Sequence, residues 1–145
     1  MPQVQIVESS LVCNDGLITG VIYFDFGEFQ FPDTDWNDFV GVVLGWWLSD
    51  LIDLSTGVTP AIELSFMDGP PRVAVRKRNA DRYVMQCIEG PHEPVLFEME
   101  CSAANLLGPV LSAAVRVDEI CDQRGWRSLK VDELKCKIRE AQRLP

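Results

Sequence analysis

Five carboxylates fall within fourteen residues, at Asp25, Glu28, Asp33, Asp35 and Asp38, interleaved with Tyr23, Phe24, Phe26, Phe29, Phe31 and Trp36. Carboxylates this close together can divide acid and base roles, wrap a hard cation, or present an anionic surface to a basic partner. For the first chemistry the pair would be Asp25 with Asp35. For the second, Asp33-Thr34-Asp35-Trp36-Asn37 begins like the calcium loop D-x-D-x-N, but Asp38 stands where the sharp turn needs glycine and Leu44 where a bidentate glutamate should close the shell. For the third, alternate phenylalanines face a core while Asp25, Glu28 and Gln30 face water, and the acids after Pro32 lie on a loop entering a helix. The plainer alternative is a solvated face with Asp33 or Asp35 capping that helix.

Other catalytic arrangements are nearly absent. The single histidine, His92, sits in a Gly90-Pro91-His92-Glu93-Pro94 turn with no evident orienting acid, and there is no GxGxxG, P-loop, GxSxG or HExxH. The expectation is a noncatalytic chain without metal or cofactor.

Charge narrows the partners. The first seventy-one residues hold eleven carboxylates and no lysine or arginine, a formal −11, and all thirteen basic residues follow from Arg72 onward. With a net charge of −9 and no aromatic residues among Arg72, Arg76, Lys77, Arg78 and Arg82, nucleic acid is not the expected partner. Those arginines read as protection of a strand edge or as partners for the acidic half. Pairing between subunits would make the chain a homo-oligomer, the acidic half of one copy meeting the basic strand of the next.

The elements that position these side chains follow from periodicity. Loose alternation through Val4, Ile6, Glu8 and Ser10, the Asn14-Asp15-Gly16 turn and renewed alternation from Ile18 to Phe26 predict a hairpin. Gly27-Glu28 then predicts a bulge or tight turn into a short strand at Phe29-Gln30-Phe31. From Asp35 to about Leu54 the spacing becomes helical through Trp36, Val40, Val43, Trp47, Leu51 and Leu54. Gly41, Gly45 and Ser49 line up on this helix and predict close approach to a sheet, since each glycine costs about 0.8–1 kcal/mol relative to alanine without a packing reason. Trp46 projects toward the side of Asp50 and Asp53, as an interface anchor or as a half-buried core residue.

Ile62 to Val75 and Tyr83 to Cys101 predict two further hairpins, turning at Asp68-Gly69-Pro70-Pro71 and at Gly90-Pro91, in a four-stranded meander. Ser102 caps a helix reaching Arg124, with Pro109 as a kink or a late start and Gly125 as its stop. A charged helix follows, from Ser128 or Asp132 to Arg143. The expected fold is one α+β domain over residues 1–145, an antiparallel sheet of about six or seven strands packed against two main helices and a short C-terminal one. Five cysteines without a CxxC pair, no signal-peptide pattern and a longest apolar run of ten residues, Phe39 to Leu48, predict a reduced, cytoplasmic protein with no membrane span.

The succession Phe31-Pro32-x-x-x-Trp36-x-Asp38-Phe39, then Trp46-Trp47, then Phe66-Met67-Asp68-Gly69-Pro70 resembles bacterial immunity proteins of polymorphic or contact-dependent toxin systems. This resemblance covers the first half of the chain and implies a small cytosolic inhibitor that covers the active site of a basic toxin, often a nuclease. Electrostatics run in the same direction, because an acidic surface with aromatic anchors steers association with a basic partner. The residues expected to contact it are Asp25, Glu28, Asp33, Asp35 and Asp38, with Trp46, Asp50 and Asp53 on the helix.

Overall fold

The computed structural model describes residues 2–145 as three helices and two antiparallel sheets. The α+β expectation holds, but the strands divide between two sheets instead of forming one. Strand β1 (Gln3–Ile6) and strand β2 (Val12–Asn14) both pair with the long central strand β3 (Leu17–Asp25). The long first arm read from alternation is thus broken in the middle, where a single 3-10 turn over Glu8–Ser10 lifts the chain from one end of β3 to the other. Asp15 and Gly16, with φ of 52° and 78°, supply the two positive dihedrals that a tight hairpin of the right twist requires. Along β3 every second residue is buried, and Gly20 is one of them because a Cβ there would stand 2.7 Å from Leu11 Cδ2.

The Gly27-Glu28 interruption is a tight turn, after which β4 (Gln30–Phe31) folds back on Phe24 and Asp25. Strand β5 (Asn37–Asp38) adds to β3 at Gly20 and Val21. That pairing corrects the helix boundary. Helix α1 is Val40–Ser55, five residues later than its spacing suggested, with Phe39 at the N-cap and no side-chain cap, so neither Asp33 nor Asp35 caps it. Trp36 still packs on the core, from a loop instead of a helical turn.

Helix α1 is the centre of the molecule. Val40, Val43, Leu44, Trp47, Leu48, Leu51 and Leu54 are at most 1% exposed, each such burial stabilising by about 1.5–3 kcal/mol. Trp47 stacks on Phe24 at 4.7 Å, meets Phe66 edge-on at 5.3 Å, and donates its indole N–H to the Ser65 carbonyl. Phe66 follows the second sheet's first strand.

That sheet is the expected meander, β6 (Ala61–Ser65), β7 (Arg72–Lys77), β8 (Arg82–Ile88) and β9 (Val95–Ser102) in sequence order. Helix α2 (Ala103–Arg124) is capped by Ser102, whose Oγ accepts from Asn105 N, and stops at Gly125 in the left-handed region. Pro109 lies inside it without ending it. Helix α3 (Leu129–Gln142) begins at Ser128, whose Oγ accepts from Val131 N and donates to the Gly16 carbonyl, tying the β2–β3 turn to the helix start. Between α2 and α3 lies a shared ion cluster in which Arg127 and Lys135 meet Asp118 and Asp122. Among the described residues no helix is long and apolar enough to cross a membrane.

Candidate partner-binding surface

The carboxylates expected to act together occupy three separate places. Asp25 ends β3, and its Oδ1 accepts from Gly27 N at 2.9 Å and Gln30 Nε2 at 3.1 Å, closing the turn that Glu28 tips. Those donors, the Gly27 amide first, hold its carboxyl below the usual range. Asp33 and Asp35 are exposed on the β4–β5 loop, where Asp33 Oδ1 accepts from Asp35 N at 2.8 Å. Asp25 and Asp35 are thus fixed in different turns and share no hydrogen bond. No group of three or more His, Cys, Asp or Glu among the described residues is arranged to hold a metal ion.

Asp38 departs from the expectation most clearly. It is 2% exposed, and it accepts from Trp36 Nε1 at 2.9 Å, Phe39 N at 2.7 Å and Asp68 N at 3.2 Å. A carboxylate so satisfied is a structural junction, joining β5, the start of α1 and the β6–β7 turn, and it offers nothing to a partner. It leaves the list of contact residues. The Trp36-x-Asp38 and Met67-Asp68-Gly69 segments, far apart in sequence, meet here.

Trp46, Asp50 and Asp53 do share one face of α1, as helical spacing requires. Trp46 is 42% exposed. Partial burial, and then the neighbouring Asp53, push the Asp50 carboxyl above its ordinary range. Trp46 also lines a groove of about 330 Å³ between α1 and α3, with Gly45 and Ser49 on its own helix and Lys130, Cys136 and Lys137 opposite. The glycines divide. A Cβ on Gly41 would stand 4.0 Å from Ile18 Cβ of β3, the expected approach to the sheet, whereas nothing lies within 4 Å of a Cβ placed on Gly45, which opens the groove toward α3.

The arginines are largely spent within the molecule. Arg72 meets Glu63 at 3.4 Å and donates to the Gly90 carbonyl, while Arg78 and Arg82 both reach Glu100. Strand β7 has β6 on one side and β8 on the other, so these residues do not guard an edge. Pairing with the acidic half is correct for Arg72 and Glu63. At the other end of the chain, Glu8 takes two hydrogen bonds of 2.8 Å from Arg116.

Sequence reasoning missed one acidic stretch. Between Arg82 and Arg116 there are four glutamates and no lysine or arginine, and that stretch includes all of β9. The signal was present in the charge pattern, but it was hidden by dividing the chain at Arg72. In the fold this stretch adjoins the first acidic turn, because Phe97 of β9 packs against Phe26 at 4.9 Å and Phe29 at 5.1 Å. Asp25 and Glu28 neighbour in sequence the two phenylalanines that meet β9. No family model, curated protein or solved structure matches this chain.

Proposed function

We propose that the protein is a noncatalytic binding protein of the immunity type, which neutralises a basic partner such as a toxin or nuclease domain by covering its active site. One observation carries the proposal. Of the eleven carboxylates in the first seventy-one residues, those of Glu8 and Glu63 meet cations of the same chain among the described residues, whereas Glu28, Asp33 and Asp35 are exposed without an ion pair. An anionic surface left unneutralised by its own protein raises the encounter rate with a cationic one and repels acidic competitors. Exposed Trp46 beside Asp50 and Asp53 adds an aromatic anchor of the kind that supplies binding energy.

The reading places the protein in the bacterial cytoplasm. Its test is capture from the native host at low and high salt, followed by a toxicity assay of whatever basic protein is recovered, with and without this chain. The expected result is a basic protein retained at low salt, released at high salt, and harmless when the two are co-expressed. Recovery of no basic protein at low salt would overturn the proposal.

A further inference from the structure

The two edges of the four-stranded sheet are treated differently. Antiparallel pairing exposes the backbone groups of alternate residues at an edge. At the β6 edge the Lys77 N–H donates inward to the Pro60 carbonyl, which leaves Ala61, Glu63 and Ser65 pointing outward. Two of these three are occupied by side chains. Thr59 Oγ1 donates to the Ala61 carbonyl at 2.8 Å and accepts from Ala61 N, and Trp47 Nε1 donates to the Ser65 carbonyl at 2.8 Å.

At the β9 edge the same alternation, fixed by Ala103 N donating to the Asp81 carbonyl and by the Tyr83–Cys101, Met85–Met99 and Cys87–Phe97 pairs, leaves Glu98 and Glu100 pointing outward; it breaks beyond Phe97, where the register shifts and Leu96 is the extra residue of a bulge. Among the described residues no side chain or backbone group bonds to these outward positions. The strand is eight residues long, and Val95 and Leu96 at its start are 44% and 46% exposed.

From this asymmetry we infer that β9 is the docking strand of the proposed inhibitor, and that its occupant is an extended segment of the partner alternating Lys or Arg with apolar residues. Strand addition supplies the main-chain hydrogen bonds, and the side chains select the segment. On the outer face the incoming residues lie across from Glu98 and Glu100. Glu98 meets no cation, being bonded only to Gln86 Nε2, whereas Glu100 is shared with Arg78 and Arg82. On the inner face the neighbours are Phe97, packed against Phe26 and Phe29, and Met99, half-buried against the core, so apolar side chains extend an existing cluster.

A second copy is a poorer occupant. Pairing of β9 with itself about a two-fold axis near its centre sets Glu98 against Glu98 or Glu100, and like charges directly opposite are destabilising.

This inference rests on the proposed function, and its test separates the two. The probe is a capped octapeptide of alternating lysine and valine, added to the full chain at low salt and followed by residue-resolved amide hydrogen exchange. Expected is slowing of the Glu98 and Glu100 amides by about tenfold at saturation, and no such effect from a peptide of the same composition with its lysines in one block. Glu98→Pro removes an outward N–H without touching the ladder to β8 and should abolish the protection. Glu98→Lys should weaken it without altering the backbone. Protection confined to the Asp33–Asp35 loop or to α1 would overturn the docking strand while leaving an acidic binding protein in place. Absence of any protection, or self-association through β9, would overturn the docking strand, and the salt-dependent capture would then decide the broader reading alone.

Discussion

The indole N–H of Trp36 donates to the buried Oδ2 of Asp38 at 2.9 Å, and the same oxygen accepts from the backbone of Asp68 thirty residues later. Oδ1 takes the Phe39 amide at the start of α1. One carboxylate therefore fixes where β5 ends, where α1 begins and how the β6–β7 turn lies against both. Asp38→Ala should leave three donors without their acceptor and lower stability by about 3 kcal/mol, measured by urea unfolding. Asp38→Asn keeps one acceptor oxygen and should lose less. Asp33→Asn and Asp35→Asn, on an exposed loop, should leave the urea midpoint nearly unchanged.

The same residue shows what the sequence could and could not say. Alternation and helical spacing reveal which residues face inward, so Ile22, Phe24, Val40, Val43, Trp47, Leu51 and Leu54 were all legible as core, and all are buried. The meander, the Ser102 cap and the Gly125 stop were legible because turns and caps are written in a few neighbouring residues, while the start of the last helix stayed open between Ser128 and Asp132. What spacing cannot reveal is a side chain satisfied by distant backbone. Asp38 reads as one more acid in an acidic run until Asp68 N is brought to it. The late start of α1 was hidden for a related reason, since the β3–β5 pairing that takes Asn37 and Asp38 out of the helix is a contact between segments that share no local pattern.

Thiol chemistry separates the five free cysteines. Burial pushes the Cys87 thiol up to about 12 and Cys121 up to about 11, and raises Cys101 as well. The thiolate is the reactive form, so these three should resist a disulfide reagent in the native state at mildly alkaline pH. Exposed Cys136, beside the α1–α3 groove, should react first and half-buried Cys13 more slowly. All five should react after unfolding in denaturant. Fast native labelling of Cys87 or Cys121 would mean that the sheet or α2 opens far more readily than its packing implies.

Two glycines should respond to alanine in opposite directions. Gly45 lies inside α1 with nothing within 4 Å of an added Cβ, so Gly45→Ala should raise stability by the propensity difference alone, about 0.8–1 kcal/mol. Gly69 sits under the Trp36 ring, where an added Cβ would stand 2.8 Å from Cη2. That ring cannot easily yield, being held by Asp38 and packed edge-on against Phe66 at 5.8 Å. Gly69→Ala should therefore destabilise by about 1–3 kcal/mol. If Gly45→Ala stabilises the protein but weakens partner binding, the α1–α3 groove takes part in the interface.

Asp50 and Asp53 oppose the fold that carries them. A carboxyl whose pKa is higher in the folded than in the unfolded chain holds more protons when native, so its contribution to stability falls as pH rises through that interval. Asp50 is of this kind, through partial burial and then Asp53, so its cost is absent in acid and complete at neutral pH. Asp25 and Glu8 are of the opposite kind, held low by the Gly27 amide and by Arg116 respectively, and what they add is lost as pH falls through their folded values. Asp53, in the last turn of α1, also faces the negative end of the helix dipole. Asp53→Asn should therefore stabilise the protein at neutral pH by about 0.3–1 kcal/mol. Asp50→Asn should show the same sign, with its gain over wild type shrinking as pH falls and the folded carboxyl takes up its proton. The destabilising acids make sense on this face if it is used, and the same two variants should then slow association with a basic partner at low salt, an effect that fades as salt is raised. Variants that gain stability and bind at an unchanged rate would take α1 out of the interface and leave the β9 side as the surface to test.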